Sequence, residues 1–384
     1  MIRHDVNSRT THRGPSVLGS LPDDTVVSSN SARCHRVCTG EKSGQHLPSG
    51  RLPRTEGCTM SAGFAHAPVM LDEILEVFGG IPDGVFVDAT LGGAGHAAAV
   101  LAAHPGVTLL GIDQDDTALA AAASRLDAAG LGGRVTLRRA RFETVGQVVE
   151  GEGIGVVAGA LFDLGVSSPQ FDVAERGFSY RHDAPLDMRM DRSRTLTAAT
   201  VVNTYDADSL ARIIGENSDE RFAGRIARAI VANRPVRGTA HLAEIVTAAI
   251  PAATRRRGGH PAKRTFQALR IEVNQELEIL PVALRAAIDV LAPGARLAVL
   301  SYHSGEDRIV KSVMREAETG GCTCRPGLPC GCGAVPVVRR VRVRREATPA
   351  ETAANPRAAS ARLRVVEKIV TDKIVVGKIV TGER

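Results

Sequence analysis

Val85 to His96 read VFVDATLGGAGH. The apolar run VFVDA ends on an acidic residue, Asp88. The glycine-rich turn LGGAG and the alanine-rich stretch HAAAVLAAH follow. That order is strand, tight turn, helix: the first βα turn of a nucleotide-type α/β fold. Glycines there let a ligand approach the backbone, and the N-terminus of the helix faces it. The next strand, Val107 to Ile112, ends in Asp113, about 20 residues past the turn, where an acidic residue accepts hydrogen bonds from a ribose hydroxyl pair. The alternative role for Asp113 is a cap on the alanine-rich helix over 115–129. Both signals fit nicotinamide, flavin and adenosylmethionine sites alike.

Outward from that turn, the pattern predicts a doubly wound sheet. Met70, Leu71, Ile74, Leu75 and Phe78 fall at helical spacing before the first strand. Val135 to Arg139 is a third strand, with Phe142 after it placed to wall an adenine. Val156 to Leu164, VVAGALFDL, is the near-continuous apolar run of a buried parallel strand. It ends in Asp163 and runs into GVSSPQ, a polar corner at the edge where open α/β sheets bind ligands. Regular alternation then stops. Residues 172–262 read as a helical insertion, with helices marked by Leu210, Ile213 and Ile214, by Phe222, Ile226, Ile230 and Val231, and by Leu242, Ile245, Val246 and Ile250. From Arg264 to Leu291 a long apolar stripe recurs at helical spacing. Pro281 is expected to kink or divide it, and Pro293-Gly294 to end it. Arg296 to Leu300 and Ala361 to Val366 are the last strands. The predicted organisation is therefore 1–60 as a disordered or mis-called extension, with Met60 as a candidate start. The sheet domain takes 61–171 and 263–368, the latter with a Cys/Arg-rich loop over 320–345. Residues 369–384 are a low-complexity Lys-Ile-Val tail.

Composition narrows the class. Aromatic residues make up 3% of the chain and tryptophan is absent, so the core must be aliphatic. A net charge of +6 suits a polyanionic partner without demanding one. No apolar run is long enough for a transmembrane helix, and no secretory signal is seen. Seven cysteines, an odd number, argue for a reducing cytoplasm rather than a disulfide scaffold.

The chemistry of the turn and the corner selects among cofactors. The turn reads GGAGH, not the GxGxxG that seats a diphosphate. Adenosylmethionine has no phosphate, so a looser turn suffices. The corner DLGVSSPQ resembles the (Asp/Ser)-Pro-Pro-aromatic corner of methyltransferases that act on exocyclic amines of bases. Oxygen acceptors at the amine hydrogens free the nitrogen lone pair from the ring, and a rigid corner holds them in place. Catalysis is accordingly assigned to Asp163 and Ser168.

Longer stretches then make the resemblance specific: HAPVMLDEIL, DATLGGAGHA, GIDQD, LFDLGVSSPQFDVAERGFSYRHDAPLDMRMD, ERFAGRIARAIV, HPAKRTFQALRIEVNQELE and SYHSGEDRIVK, in this order. Over roughly residues 64–368 the chain resembles the MraW family of ribosomal RNA small-subunit methyltransferases. The resemblance implies a Rossmann-like class I methyltransferase sheet with an inserted helical domain. It also implies S-adenosyl-L-methionine as cofactor and methylation of a cytidine N4 amine in the decoding region of 16S ribosomal RNA or the small ribosomal subunit. Carried over by motif position, the cofactor contacts are Ala94, Gly95, His96, Asp113, Phe142, Asp163 and Gln170. Two departures stand out: LGGAGHA where many members have FGRGGHS, and Gly305 where SYHSLED has leucine. The first puts Ala94 in place of a glycine, which its backbone angles must tolerate.

Arg255, Arg256, Arg257, Lys263, Arg264 and Arg270, with no acid among them, suit RNA phosphates, and His303 is expected to face the same cleft or to cap a helix. Phe178 and Tyr180 are candidates for stacking a flipped base, or for the insertion's core. Cys322, Cys324, Cys330 and Cys332 form CTC-x5-CGC, a candidate zinc set, although CxC is tighter than the usual CxxC knuckle and an exposed reduced loop is the preferred reading. Two readings compete with the methyltransferase: a nicotinamide-dependent dehydrogenase, and an RNA-binding assembly factor that keeps an adenosylmethionine site. Methylation of another base amine, in DNA above all, is the nearest rival within the class.

Overall fold

The computed structural model describes residues 68–166, 170, 173–255, 259–325 and 331–370. The expectations for residues 1–60, for Ser168, Arg256, Arg257 and Cys330, and for the tail from 371 fall outside these residues. Strands β1 (Gly84–Asp88), β2 (Val107–Asp113), β3 (Val135–Arg139), β4 (Val157–Asp163), β5 (Leu291–Ser301), β6 (Val338–Arg340) and β7 (Arg362–Lys368) form one sheet in the order β3-β2-β1-β4-β5-β7-β6. The first five run parallel; β7 is antiparallel to both of its neighbours. The α/β class and the doubly wound sheet read from the sequence are thus what the chain adopts.

Helices cover both faces of the sheet, as buried parallel strands require. On one face lie α1 (Leu71–Phe78), α2 (Gly95–Ala103) and α3 (Asp116–Ala128), whose Ile74, Phe78, Val100, Leu101 and Leu126 pack against Phe86, Leu109 and Leu161. On the other lies α4 (Val145–Gly151), with Val145 and Val149 against Val87, Leu110 and Phe162. The insertion carries α5 (Ala198–Thr204), α6 (Ala207–Ser218), α7 (Ala223–Ala232), α8 (Thr239–Ala249) and the single turn α9 (Ala252–Arg255). Its apolar core is its own: Leu210, Ile213, Ile226, Ile230, Leu242 and Val246 are all buried together.

The long stripe after the insertion is two helices, α10 (Lys263–Asn274) and α11 (Glu276–Val290). The break falls at Gln275, in the left-handed conformation at φ 57, and not at Pro281, which α11 carries inside it. Packing of Leu280, Leu284 and Ile288 on the sheet outweighs the hydrogen bond that Pro281 lacks. Nor does Pro293-Gly294 end the helix: α11 stops at Val290, and Leu291 already pairs with Val157 before a register shift that resumes at Gly159 and Arg296. Helix α12 (Ser304–Thr319) joins this face, and a short α13 (Pro349–Ala354) precedes β7.

Helix α10 packs inside the insertion, through Phe266, Leu269 and Val273, so the helical core runs on to Asn274. Asn274, the last residue before the turn, is buried, and its side chain anchors the end of α10. Its amide oxygen accepts from Met190 N–H at 2.8 Å, and its amide nitrogen donates to the carbonyls of Met188 at 2.8 Å and Arg270 at 2.9 Å. One side chain thus satisfies the irregular crossing at 188–190, where Met188 is left-handed at φ 58, and the end of α10. Asn274→Ala takes these partners from the buried Met190 N–H and Met188 carbonyl. It lowers the free energy of unfolding by roughly 2–4 kcal/mol, read from urea denaturation; a loss below about 0.5 kcal/mol would sink this account of the junction.

Candidate active site

Parallel strands bring their C-terminal ends to one edge, and each of three adjacent strands ends there on an aspartate. Asp88 closes β1. It is 2% exposed, and burial pushes its carboxyl up to about 8, with the neighbouring charges of Asp163 and Asp113 adding to the rise. It is therefore protonated at neutral pH, and one of its oxygens accepts from Thr90 N–H at 3.2 Å.

The glycine turn follows. Ala94 sits in the left-handed region at φ 56, ψ 30, so a residue with a Cβ occupies a conformation that favours glycine, at a cost of about 1 kcal/mol. At Gly95 no side chain fits: a Cβ would lie 2.6 Å from Pro68. The N-terminus of α2 has no side-chain cap, whereas the guanidinium of Arg134 donates to carbonyls at its other end, Leu101 and His104 among them. The uncapped end of α2 is the one that faces the strand edge.

Asp113 ends β2. Its two carboxyl oxygens accept from the N–H groups of Gly92, at 2.8 Å, and Asp115, at 2.9 Å. Burial pushes it up to about 6 against those hydrogen bonds. The helix-capping role falls to Asp115, which accepts from Thr117 N–H at the start of α3, so Asp113 is left to serve the glycine turn. Asp115 is also a bolt. Arg176 Nη1 lies 2.7 Å from its carboxyl, and Gln170 donates to the same oxygen at 3.0 Å. Burial alone would raise Asp115; the hydrogen bonds from Thr117, Gln170 and Arg176 outweigh it and hold the carboxyl below its ordinary range. Phe142 is half-buried beyond β3, edge-on to Phe162 with ring centres 6.1 Å apart.

Asp163 ends β4 and gathers three other elements. Its backbone N–H donates to Thr90 Oγ1, Tyr302 Oη donates to its Oδ1 at 2.6 Å, and His96 Nδ1 lies 3.6 Å from its Oδ2. His96 Nε2 is 2.8 Å from the Val69 carbonyl, which only accepts, so that nitrogen carries a proton and Nδ1 faces Asp163. Burial raises Asp163, with the His96 charge opposing; burial likewise raises Tyr302 well above its usual range, with the Asp163 charge adding to it. The Asp163 side chain keeps 28% of its surface open, so the carboxyl still reaches the cleft.

Sequence reasoning did not single out Thr90, Asp115, Arg176, Asn274 or Tyr302. Tyr302 carried a usable signal: it is the first residue past β5, at the same edge as the aspartates.

The substrate-side residues are less gathered. Lys263 and Arg264 are exposed at the start of α10, where Arg264 donates to the Asp219 carbonyl. Arg255 closes α9. Arg270 is turned inward instead, paired with Glu276 through two contacts of 2.9 Å, so it is not a phosphate ligand. Phe178 is buried in the insertion's core. Tyr180 stacks on His260, ring centres 4.2 Å apart. His303 is the N-cap of α12 in a capping box with Glu306, which is the capping alternative raised above. Cys322, Cys324 and Cys332 lie together at the far end of α12.

A family model described as the MraW methylase family matches residues 63–369. Among curated relatives, a ribosomal RNA small subunit methyltransferase H of Symbiobacterium thermophilum is 52% identical over 77% of this chain and 94% of its own length. The protein of the same name from Thermobifida fusca is 53% identical over 77% of this chain and 90% of its own. One from Frankia alni is 53% identical over 76% and 92%. With this sheet, this glycine turn and this row of strand-end aspartates, the chain belongs to the MraW methylase family.

Proposed function

We propose that this chain transfers a methyl group from S-adenosyl-L-methionine to the N4 amine of a cytidine in the decoding region of small-subunit (16S) ribosomal RNA. The observation that carries the reading is the pair of strand-end carboxylates with different duties, Asp113 beside the glycine turn and Asp163 open to the cleft. The names of its relatives, ribosomal RNA small subunit methyltransferase H, support the substrate class. Among the described residues no helix is long and apolar enough to cross a membrane, which fits a ribosomal substrate in the cytoplasm.

The residues present suit that cofactor. Asp113 is a buried carboxylate whose oxygens each accept one backbone N–H and have lone pairs left for the hydroxyl hydrogens of a ribose. Ala94, Gly95 and the uncapped start of α2 bring backbone close to a ligand, Phe142 supplies an apolar wall, and Gln170 braces Asp115 next to Asp113. His96 acts one step back, holding Asp163. S-Adenosylmethionine supplies a methyl group made electrophilic by its sulfonium. Asp163 accepts a hydrogen from the base amine, which returns the nitrogen lone pair from the ring, and Tyr302 and His96 fix the carboxyl for that task. Ser168, in the same corner, is assigned a second acceptor. The amine then gives up its proton to water. Lys263, Arg264, Arg255, Arg256 and Arg257 are assigned to RNA phosphates.

The test is tritium transfer from labelled S-adenosylmethionine to small subunits from a strain without the enzyme, followed by nucleoside analysis. Label in N4-methylcytidine is the expected result. Label in another nucleoside sinks the base assignment, and no label with cofactor still bound favours an assembly factor. Tyr302→Phe removes the hydroxyl from Asp163, and kcat is expected to fall about a hundredfold by misplacement of the acceptor, with cofactor affinity little changed. An unchanged kcat would remove Tyr302 from the site.

Cofactor affinity also reports Asp113 through pH. The ionised form accepts the ribose hydrogens, so calorimetric affinity weakens as pH falls through about 6, by about tenfold per unit below it. Stability of the cofactor-free chain moves the other way. With a raised carboxyl the fold holds more protons than the unfolded chain, so this group's contribution declines as pH rises from the ordinary aspartate range to about 6. Asp113→Asn abolishes both dependences; an affinity that stays flat through this window in the wild-type chain would rule out the ribose role.

A further inference from the structure

The loop from α12 to β6 is pinned at its base by backbone hydrogen bonds and by the Arg340–Glu318 pair at 2.6 Å. Gly320 caps α12 in the left-handed conformation at φ 61, and a Cβ there would fall 2.4 Å from backbone atoms of Val335. Val337 N–H donates to the Ala317 carbonyl at 2.9 Å, Gly321 N–H to Glu316 at 2.9 Å and Cys322 N–H to Thr319 at 3.2 Å. The two flanks of the loop are therefore brought together before its cysteines are considered. Beyond the base, every described residue over 321–325 and 331–337 is exposed or half-buried. Apolar burial does not set the shape of this loop.

Three sulfurs nevertheless converge in it. Cys322 Sγ and Cys332 Sγ are 3.5 Å apart, and with Cys324 all three Sγ atoms lie within 4.8 Å of one another. A disulfide would bring two of them to about 2.05 Å. Sulfurs bonded at about 2.3 Å to one tetrahedral cation stand about 3.8 Å apart, close to the spacing here. Thiolates in tetrahedral array select zinc among the common divalent cations. We propose that Cys322, Cys324 and Cys332 form a zinc site that fixes the passage from α12 into the edge strand β6. Cys330 belongs to the same CTC-x5-CGC pattern but lies outside the described residues, and the proposal rests on the other three. The tight CxC spacing that counted against zinc is met by the fold: Cys332 comes from the returning flank of the loop, not from a knuckle on one side. The site lies at the far end of α12 from His303 and is independent of the methyl-transfer reading.

The experiment uses the full chain without an affinity tag, purified under reducing conditions without chelator, with metal measured by mass spectrometry. About one zinc per chain is expected, falling below about a tenth in Cys322→Ser and in Cys332→Ser, and unchanged in Cys58→Ser. Cobalt loaded in place of zinc gives the intense visible bands of a tetrahedral site and a sulfur-to-cobalt charge-transfer band. Should the serine variants not fold, the wild-type chain decides: chelation lowers its thermal midpoint, and zinc, not magnesium, restores it. The proposal is overturned by a chain that stays metal-free after incubation with zinc, by copper(I) held in its place, by zinc that survives both serine variants, or by a Cys322–Cys332 disulfide under those conditions.

Discussion

Three aspartates end three adjacent parallel strands, and the sheet geometry leaves them no choice but to share one edge. Like charges at partly desolvated sites repel strongly, so the surroundings must decide which of them is ionised. Asp88 has one backbone donor and the deepest burial, and it stays protonated at neutral pH. Asp113 has two backbone donors and ionises near 6. Asp163 is met by a tyrosine hydroxyl and a histidine and keeps part of its surface open. One row of identical residues is thereby divided into a structural acid, a ligand-facing carboxylate and an acceptor at the cleft.

The helical insertion is tied to that edge by polar side chains rather than by apolar area. Its core is separate from the two cores that flank the sheet. The ties include the buried pair Arg176–Asp115 and the contact of Arg139, at the end of β3, with Asp191 at 2.9 Å. A buried ion pair adds little net stability, but loss of one member leaves an uncompensated charge, so it enforces a single seating of the two parts. Arg176 further donates to the carbonyls of Arg189 and Met190, the segment that Asn274 grips from the other side. The aspartate corner and the insertion therefore hold a fixed relation, as a site that must align a base amine with a cofactor needs.

Much of this was legible in the sequence because it depends on local pattern. Apolar runs of strand length, a glycine turn before an alanine-rich helix and acidic residues at strand ends are set by neighbours in the chain. The strand β3 is found where expected, Val135–Arg139, and β2 and β4 within a residue or so of expectation at either end. The short strand β6 was not foreseen: Val338–Arg340 has too few residues to show alternation. Proline is a local signal and points to a division at Pro281, whereas the helices part at the left-handed Gln275, whose N–H closes the end of α10 on the Glu272 and Ile271 carbonyls.

Local pattern along the chain sets the sheet, the glycine turn and the acidic strand ends, together with the family they mark. Their partners come from the folded path of the backbone. Tyr302 meets Asp163 across 139 positions of chain, Asn274 meets Met190 across 84, and Cys332 meets Cys322 around a closed loop. The same structure withdrew Arg270 and Phe178 from the cleft, one into an ion pair and one into a core. The reason is physical. A hydrogen bond or a buried contact needs two groups at a set distance, and only the folded path of the backbone supplies the second.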